Sequence, residues 1–272
     1  MIHTFPVSGP LSLDCRTGFG TVTVHADEPV EQARVELVAV DSSSGVAEGA
    51  EVRLLEANAL SIRAPKPRWS LFDIPFLGTK FAQRDAMNID IVVPPGTPMR
   101  IAAWGGSVIV TGRAGALDVM SGCAAIEAPE IDGELRLRFG SGSAEVRRVR
   151  GTATVRSGGG RARIGEVDGA VTMVCGSGSL ELGVARGPVR VRSGSGGATI
   201  GEAHGDVEMA SGSGALCVGL PAGQPARLDI VTGSGRLDSQ LPVEDVAPIG
   251  EAITIRARTG SGNISIRRAP GD

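Results

Sequence analysis

The amino-acid sequence predicts an all-β protein, a parallel β-solenoid (single-stranded β-helix) of 18-residue coils preceded by an irregular N-terminal β region. Residues 98–223 divide without a gap into seven 18-residue windows, each closing on glycine: Gly115, Gly133, Gly151, Gly169, Gly187, Gly205 and Gly223. Within a window two short runs of alternating apolar and polar residues flank a Gly-Ser-Gly turn, as in AVTMVCGSGSLELGVARG from Ala170 to Gly187. Period-two alternation in both runs excludes a helical repeat, whose apolar residues would recur three and four apart. A short fixed period marks units that bury their apolar faces by stacking on one another.

Composition narrows the chemistry. Of 272 residues, 40 are glycine, none is tyrosine and only eight are Phe or Trp, so the core must be built from Val, Ile, Leu, Met and Ala. A net charge of -3 gives no bulk attraction to nucleic acid or to an anionic membrane. Cys15, Cys123, Cys175 and Cys217 fall at different positions of the repeat, so no two stack in adjacent coils and no disulfide framework is expected. His3, His25 and His204 are scattered, and neither CxxC nor HxxxH spacing occurs, so no metal or cofactor site is expected. MIHTFPVSGPLSLDC has neither the basic nor the apolar region of a signal peptide, and no window approaches a membrane span. The expectation is a cytoplasmic protein with no integral membrane segment.

Taken in order, residues 1–97 form the N-terminal β region. Leu11 to His25 carries a strand, Gly-x-Gly, strand pattern and reads as a divergent coil. Ala33–Val40, Glu51–Ala57 and Ala59–Pro65 alternate as strands, and Met87–Pro98 is a strand stopped by a double proline. Residues 65–87 differ from everything else. They hold Trp69, Phe72, Phe76 and Phe81, half of the chain's aromatic residues, among prolines that break a helix. This loop is expected either to cap the coils or to present an apolar patch to a partner.

Residues 98–268 form the regular solenoid, with the array at 98–223 and two divergent coils to 268; the whole chain is expected to be one continuous structural unit. Numbered within each window, positions two and four hold apolar columns such as Leu135, Val171 and Val207, and Leu137, Met173 and Met209, which must face inward. Positions eleven, thirteen and sixteen do the same on the second run. Glycines at positions seven, nine and eighteen are expected to supply positive backbone dihedrals at the corners. After Gly223 the register slips by about three residues, Leu228–Ser239 resumes it, and Ile253–Ile266 is expected to be the last coil, its polar tail blunting the strand edge.

Stacking brings equal positions together, so charge must alternate along a column. It does so at position seventeen, in Asp132, Arg150, Asp168, Arg186 and His204. Outward positions three and five carry Arg136, Arg138, Arg156, Arg190 and Arg192 on one face, a candidate surface for an anionic partner. No pairing by spacing suggests a nucleophile with its base, and sugar-stacking aromatics are scarce in the array, where only Trp104 and Phe139 occur.

The segments VRSGSGGATIG, MASGSGALCVG, VTGSGRLDS and ARTGSGNISI, entered through IDIVVPPGTP, resemble the bacterial "putative-adhesin" family of Gly-Ser-Gly β-repeat proteins, a domain of unknown function. The likeness covers about Met87 to Ile266, with a looser match near Leu11 to His25. It implies a parallel β-solenoid and brings no catalytic residues. The expected function is therefore that of a non-enzymatic structural or interaction protein, an adhesin-like scaffold that binds a protein partner or self-associates. The alternative is a glycan-binding or glycan-cleaving β-helix protein.

Overall fold

The computed structural model describes residues 1–41, 45–65, 86–241 and 252–269. Among these residues the protein is all-β but for one 3-10 turn at Glu56–Asn58, and most strand pairings are parallel. The chain divides into two compact units, residues 1–133 and 134–272. The loop aromatics Trp69, Phe72, Phe76 and Phe81 lie outside the described residues.

The first unit contains β1 (Ile2–Pro6), β2 (Ser12–Ala26), β3 (Gln32–Ala39), β4 (Glu51–Leu55), β5 (Ala59–Arg63), β6 (Met87–Val92), β7 (Met99–Ala114) and β8 (Leu117–Ile131). The bent strands β2, β7 and β8 lie side by side in parallel, with Leu13 opposite Met99 and Met99 opposite Leu117. On its other side β2 is covered in two halves, by β5 against Ser12–Arg16 and by β6 against Val22–His25, both parallel. Antiparallel strands finish this edge: β4 pairs with β5, β3 with β6, and β1 with β3. The strands read at 33–40, 51–57, 59–65 and from Met87 thus form as expected, whereas β1 was not foreseen. Alternation decides the inward face, where Leu13, Cys15, Val22, Val24, Ile62, Ile89, Ile91 and Ile101 are buried. Burial also pushes the Cys15 thiol up to about 12, so it remains a neutral core group.

The second unit contains β9 (Leu135–Val149), β10 (Ala153–Ser157), β11 (Arg161–Val167), β12 (Val171–Cys175), β13 (Ser179–Ala185), β14 (Val189–Ser193), β15 (Ala198–Ala203), β16 (Val207–Ser211), β17 (Leu216–Leu220), β18 (Ala226–Thr232), β19 (Leu237–Ser239), β20 (Ile253–Thr259) and β21 (Ile264–Arg268). From β9 to β16 each first-run strand pairs in parallel with the one 18 residues further on, so Leu135, Ala153, Val171, Val189 and Val207 form one column. The second runs do the same through β9, β11, β13, β15 and β17. Both inward columns of each run are buried, as the alternation requires: Leu137, Val155, Met173, Val191 and Met209 in one, Val146, Ile164, Leu182, Ile200 and Val218 in another.

The C-terminal order departs from the sequence expectation. β20 pairs with β16 on one side and β18 on the other, and β21 likewise lies between β17 and β19. The chain therefore makes its outermost repeat first, at 226–239, and returns to fill the rung beneath it with 253–268. Apolar content explains the choice. The inserted strands present Ile253, Ile255, Ile264 and Ile266, all buried, to the core, whereas the outer repeat offers half-buried Leu228 and Ile230 and an exposed Leu237. The less apolar of the two repeats occupies the rung that has a neighbour on one side only among the described residues. Nor does the described part of the tail blunt the outer edge: Ala269 N–H donates to Leu220 O and Arg268 donates to Pro221 O and Gln224 O.

The corner glycines also have a different cause from the one expected. At positions seven and eighteen none has positive φ but Gly223, and at position nine only Gly106 and Gly142 do. What excludes a side chain is the neighbouring rung. A Cβ on Gly158 or Gly176 would stand 2.7 Å from the carbonyl oxygen of Gly140 or Gly158, and one on Gly169 2.5 Å from that of Gly151. A further column, Gly165, Gly183, Gly201 and Gly219, obeys the same rule at position fourteen and was not singled out in the sequence.

Between these glycines the turn is held by a side chain. The hydroxyl oxygens of Ser157, Ser211, Thr232 and Thr259 accept the N–H of the glycine three residues on, at 2.8, 2.8, 3.0 and 2.9 Å. Ser211→Ala leaves the Gly214 N–H without this acceptor and is expected to cost about 1 kcal/mol. Ser211→Thr, which copies Thr259, is expected to retain the wild-type urea midpoint.

Candidate functional site

The outer face of the first-run strands in the second unit carries every arginine that the sequence placed there. Strand pairing puts the side chains in two columns. Position three reads Arg136, Thr154, Thr172, Arg190, Glu208, Arg256 and Asp229 in spatial order. Position five reads Arg138, Arg156, Val174, Arg192, Ala210, Arg258 and Val231. Arg256 and Arg258 are additions to the predicted set. Alignment of TGSG at 259–262 with the earlier turns would have found them.

Carboxylates are fewer than guanidinium groups here. Glu134 pairs with Arg136 at 2.7 Å, Glu208 with Arg190 at 2.9 Å and with Arg192 at 3.7 Å, and Asp229 with Arg258 at 3.4 Å and Arg256 at 3.9 Å. Three acids are thus shared among five arginines. Arg156 is exposed and meets no carboxylate within 4.0 Å among the described residues. The hydrogen bond from Arg190 holds the Glu208 carboxyl below its usual range, so Glu208 is an anion near neutral pH.

The second-run face carries ion pairs of its own. Arg148 reaches Glu166 and Asp168 at 3.4 Å each, Arg186 bonds the same two acids, and Arg163 pairs with Glu181 at 2.6 Å. Hydrogen bonding to Glu166 raises the Arg186 pKa, and hydrogen bonding to Glu181 raises that of Arg163. These pairs join residues of adjacent rungs, as expected from the alternating charges along the sequence. Arg148, Arg163 and Arg186 are thus matched by acids of this face, whereas Arg147 and Arg161 are exposed and meet no carboxylate within 4.0 Å among the described residues.

Sequence charge is uneven between the units. Residues 1–133 hold 16 acidic and 10 basic residues, and residues 134–272 hold 14 and 17. The bulk value of -3 therefore hides a second unit with a surplus of positive charge.

Two shallow grooves run along the arginine face. One, of about 420 Å³, is bordered by Thr172, Arg190, Asp206, Glu208 and Arg256. The other, of about 400 Å³, follows the position-five column past Arg192, Ala210, Arg258 and Val231 and is also lined by Ser211 and Thr259. The acids of the first groove are engaged, Glu208 as above and Asp206 by the Thr254 N–H at 2.7 Å.

In the first unit, His25 bridges Thr111 Oγ1 and Asp90 Oδ2, each at 3.1 Å, while the Thr111 hydroxyl donates to Asp27 at 2.5 Å. With that proton directed at Asp27, the hydroxyl is not aligned as a nucleophile toward the imidazole. The array's two aromatics separate: Phe139 is buried, its ring over Gly160, and Trp104 is 64% exposed. Among the described residues no three His, Cys, Asp or Glu side chains gather as a metal site, and no helix is long and apolar enough to cross a membrane.

No family model matches the chain. No curated protein matches it either. Among solved structures it is similar to a "putative adhesin" from Bacteroides fragilis NCTC 9343, at 11% identity over 98% of this chain and 96% of the other, with a TM-score of 0.49. A second is a "putative cell adhesion protein" from Clostridium sporogenes ATCC 15579, at 10% identity over 98% and 99% of the two chains, with a TM-score of 0.22. At these scores neither likeness bears on the function of this chain.

Proposed function

We propose that the protein is a non-enzymatic β-solenoid scaffold whose arginine face docks an anionic partner. The solenoid reading is supported by parallel pairing at a constant 18-residue displacement from β9 to β16, with first and second runs stacked separately. The docking reading rests on one observation, the excess of guanidinium groups over carboxylates on the outer face of the first-run strands, where two adjoining columns hold seven arginines against Glu208 and Asp229. Positive potential concentrated on a flat rigid face accelerates and orients the approach of an anion, even when net charge is negative. Binding is favoured over glycan cleavage because Arg190 holds the Glu208 carboxyl below its usual range, the opposite of what a general acid requires.

The test is chromatography on sulfated agarose near neutral pH. Wild type, net negative, is expected to be retained at low salt and released as salt rises. The variant Arg136→Glu, Arg156→Glu, Arg192→Glu is expected in the flow-through with an unchanged circular-dichroism spectrum. Equal retention of the two proteins would remove the face from consideration.

A further inference from the structure

The position-five column has a period that its sequence order conceals. Between Arg156 and Val231 the spatial order is arginine, valine, arginine, alanine, arginine, valine: Arg156, Val174, Arg192, Ala210, Arg258, Val231. Arginine occupies every second rung, and adjacent strands lie about 4.8 Å apart, so the three guanidinium groups spring from backbone positions about 10 Å apart. Small apolar side chains separate them. Val174 and Val231 are 46% and 53% exposed, and the groove beside the column is lined by Arg192, Ala210, Arg258 and Val231.

We infer that this column binds an extended acidic polysaccharide carrying one carboxylate or sulfate per disaccharide. The inference rests on the arginine face being an anion-docking surface and adds the spacing of the charges. Two rungs match the length of one disaccharide in an extended β-linked chain, so each arginine meets one anionic group. The intervening Val174, Ala210 and Val231 lie beneath the C–H faces of the sugar rings, where a longer polar side chain would lift the chain off the sheet. A nucleic acid strand fits less well, since its phosphates lie about 3.4 Å apart along a duplex, roughly three for each arginine. The position-three arginines are interrupted by Glu208 and Asp229 and have no such period, and Glu208 holds Arg190, at 2.9 Å, more closely than Arg192, at 3.7 Å.

The experiment is titration calorimetry with three probes: a hyaluronan decasaccharide, which has one carboxylate per disaccharide, polyphosphate, and a neutral cello-oligosaccharide. Wild type is expected to bind hyaluronan and not the neutral chain. Arg192→Gln with Arg258→Gln is expected to weaken hyaluronan binding about tenfold, and Arg190→Gln with Arg256→Gln to change it less than twofold. Ala210→Arg, which fills a gap in the period, is expected to strengthen polyphosphate binding without strengthening that of hyaluronan. Equal losses from the two arginine pairs, or binding of polyphosphate but not hyaluronan, would overturn the matched period while leaving the anionic surface standing. Failure of both anions to bind would overturn both. Urea midpoints within error of wild type show that each variant compared is folded.

Discussion

Gly196→Val is expected to lower the urea midpoint by more than any single surface change in the second unit. A Cβ at residue 196 falls under 3.0 Å from the Gly178 carbonyl oxygen, and the neighbour it meets is backbone, which cannot rotate aside. Gly214 stacks on Gly196 in the same way, so a shift that relieves one rung strains the next. Overpacking in proteins typically costs about 1–3 kcal/mol and occasionally more, and an obstruction between directly stacked corners belongs at the upper end. Gly18→Ala is the matched control. Nothing stands within 4 Å of a Cβ there, and its φ is not in the positive range, so the change is expected to be neutral or slightly stabilising. If Gly196→Val unfolds at the wild-type urea concentration with the same slope, close stacking of the corners is not what requires glycine.

The second large effect is expected from a chain that ends at Glu251. In a stack whose rungs follow sequence order, loss of the last rung exposes the one before it and little else. Here the lost strands β20 and β21 lie between two others, so β18 and β19 lose every pairing they have among the described residues. The removed segment also carries Ile253, Ile255, Ile264 and Ile266, all buried. At about 1.5–3 kcal/mol for each fully buried side chain, their burial is worth about 6–12 kcal/mol as an upper bound. That is comparable to the whole stability of many domains. Limited proteolysis is expected to cut within residues 224–241 of the shortened chain and to spare the same residues in the full one. Protection of 224–241 in the shortened chain would mean that β18 can dock on β16 directly, contrary to the order described.

Much of this architecture is legible because it is local and repeated. Alternation in VTMVC and SLELGVA determines which side chains face inward, and an 18-residue period determines which residues stack, so the inward columns and the arginine positions of β9, β10 and β14 could be named before any coordinates. The charge ladder from Arg148 to Glu166, Asp168 and Arg186 was legible for the same reason. Three things were not. Glycine at the corners signals a place where a side chain does not fit, but sequence alone does not separate a backbone conformation from a neighbouring carbonyl; the columns at Gly165 and Gly158 answer to the second. The order of the last two rungs depends on competition between segments for one position, won by the isoleucines of 253–266 over Leu228 and Ile230, and such competition has no local signature. Third, the place of Arg256 and Arg258 along the columns follows from that order, although TGSG at 259–262 already sets them at positions three and five. In sequence order the column ends valine, arginine, and only the spatial order restores the alternation.

The inserted repeat has a consequence for synthesis. A stack built in sequence order can fold as it leaves the ribosome, each new turn finding its partner already in place. In this protein residues 226–239 emerge before the strands on which they rest, and β16 presents an unpaired edge until 253–268 has followed. Folding of the second unit must therefore wait for residues 253–268, and it closes by threading these later-made strands into a reserved gap. A chaperone that shields strand edges would meet its substrate at this stage. A nascent chain stalled just after Leu241 is where such an encounter would be caught.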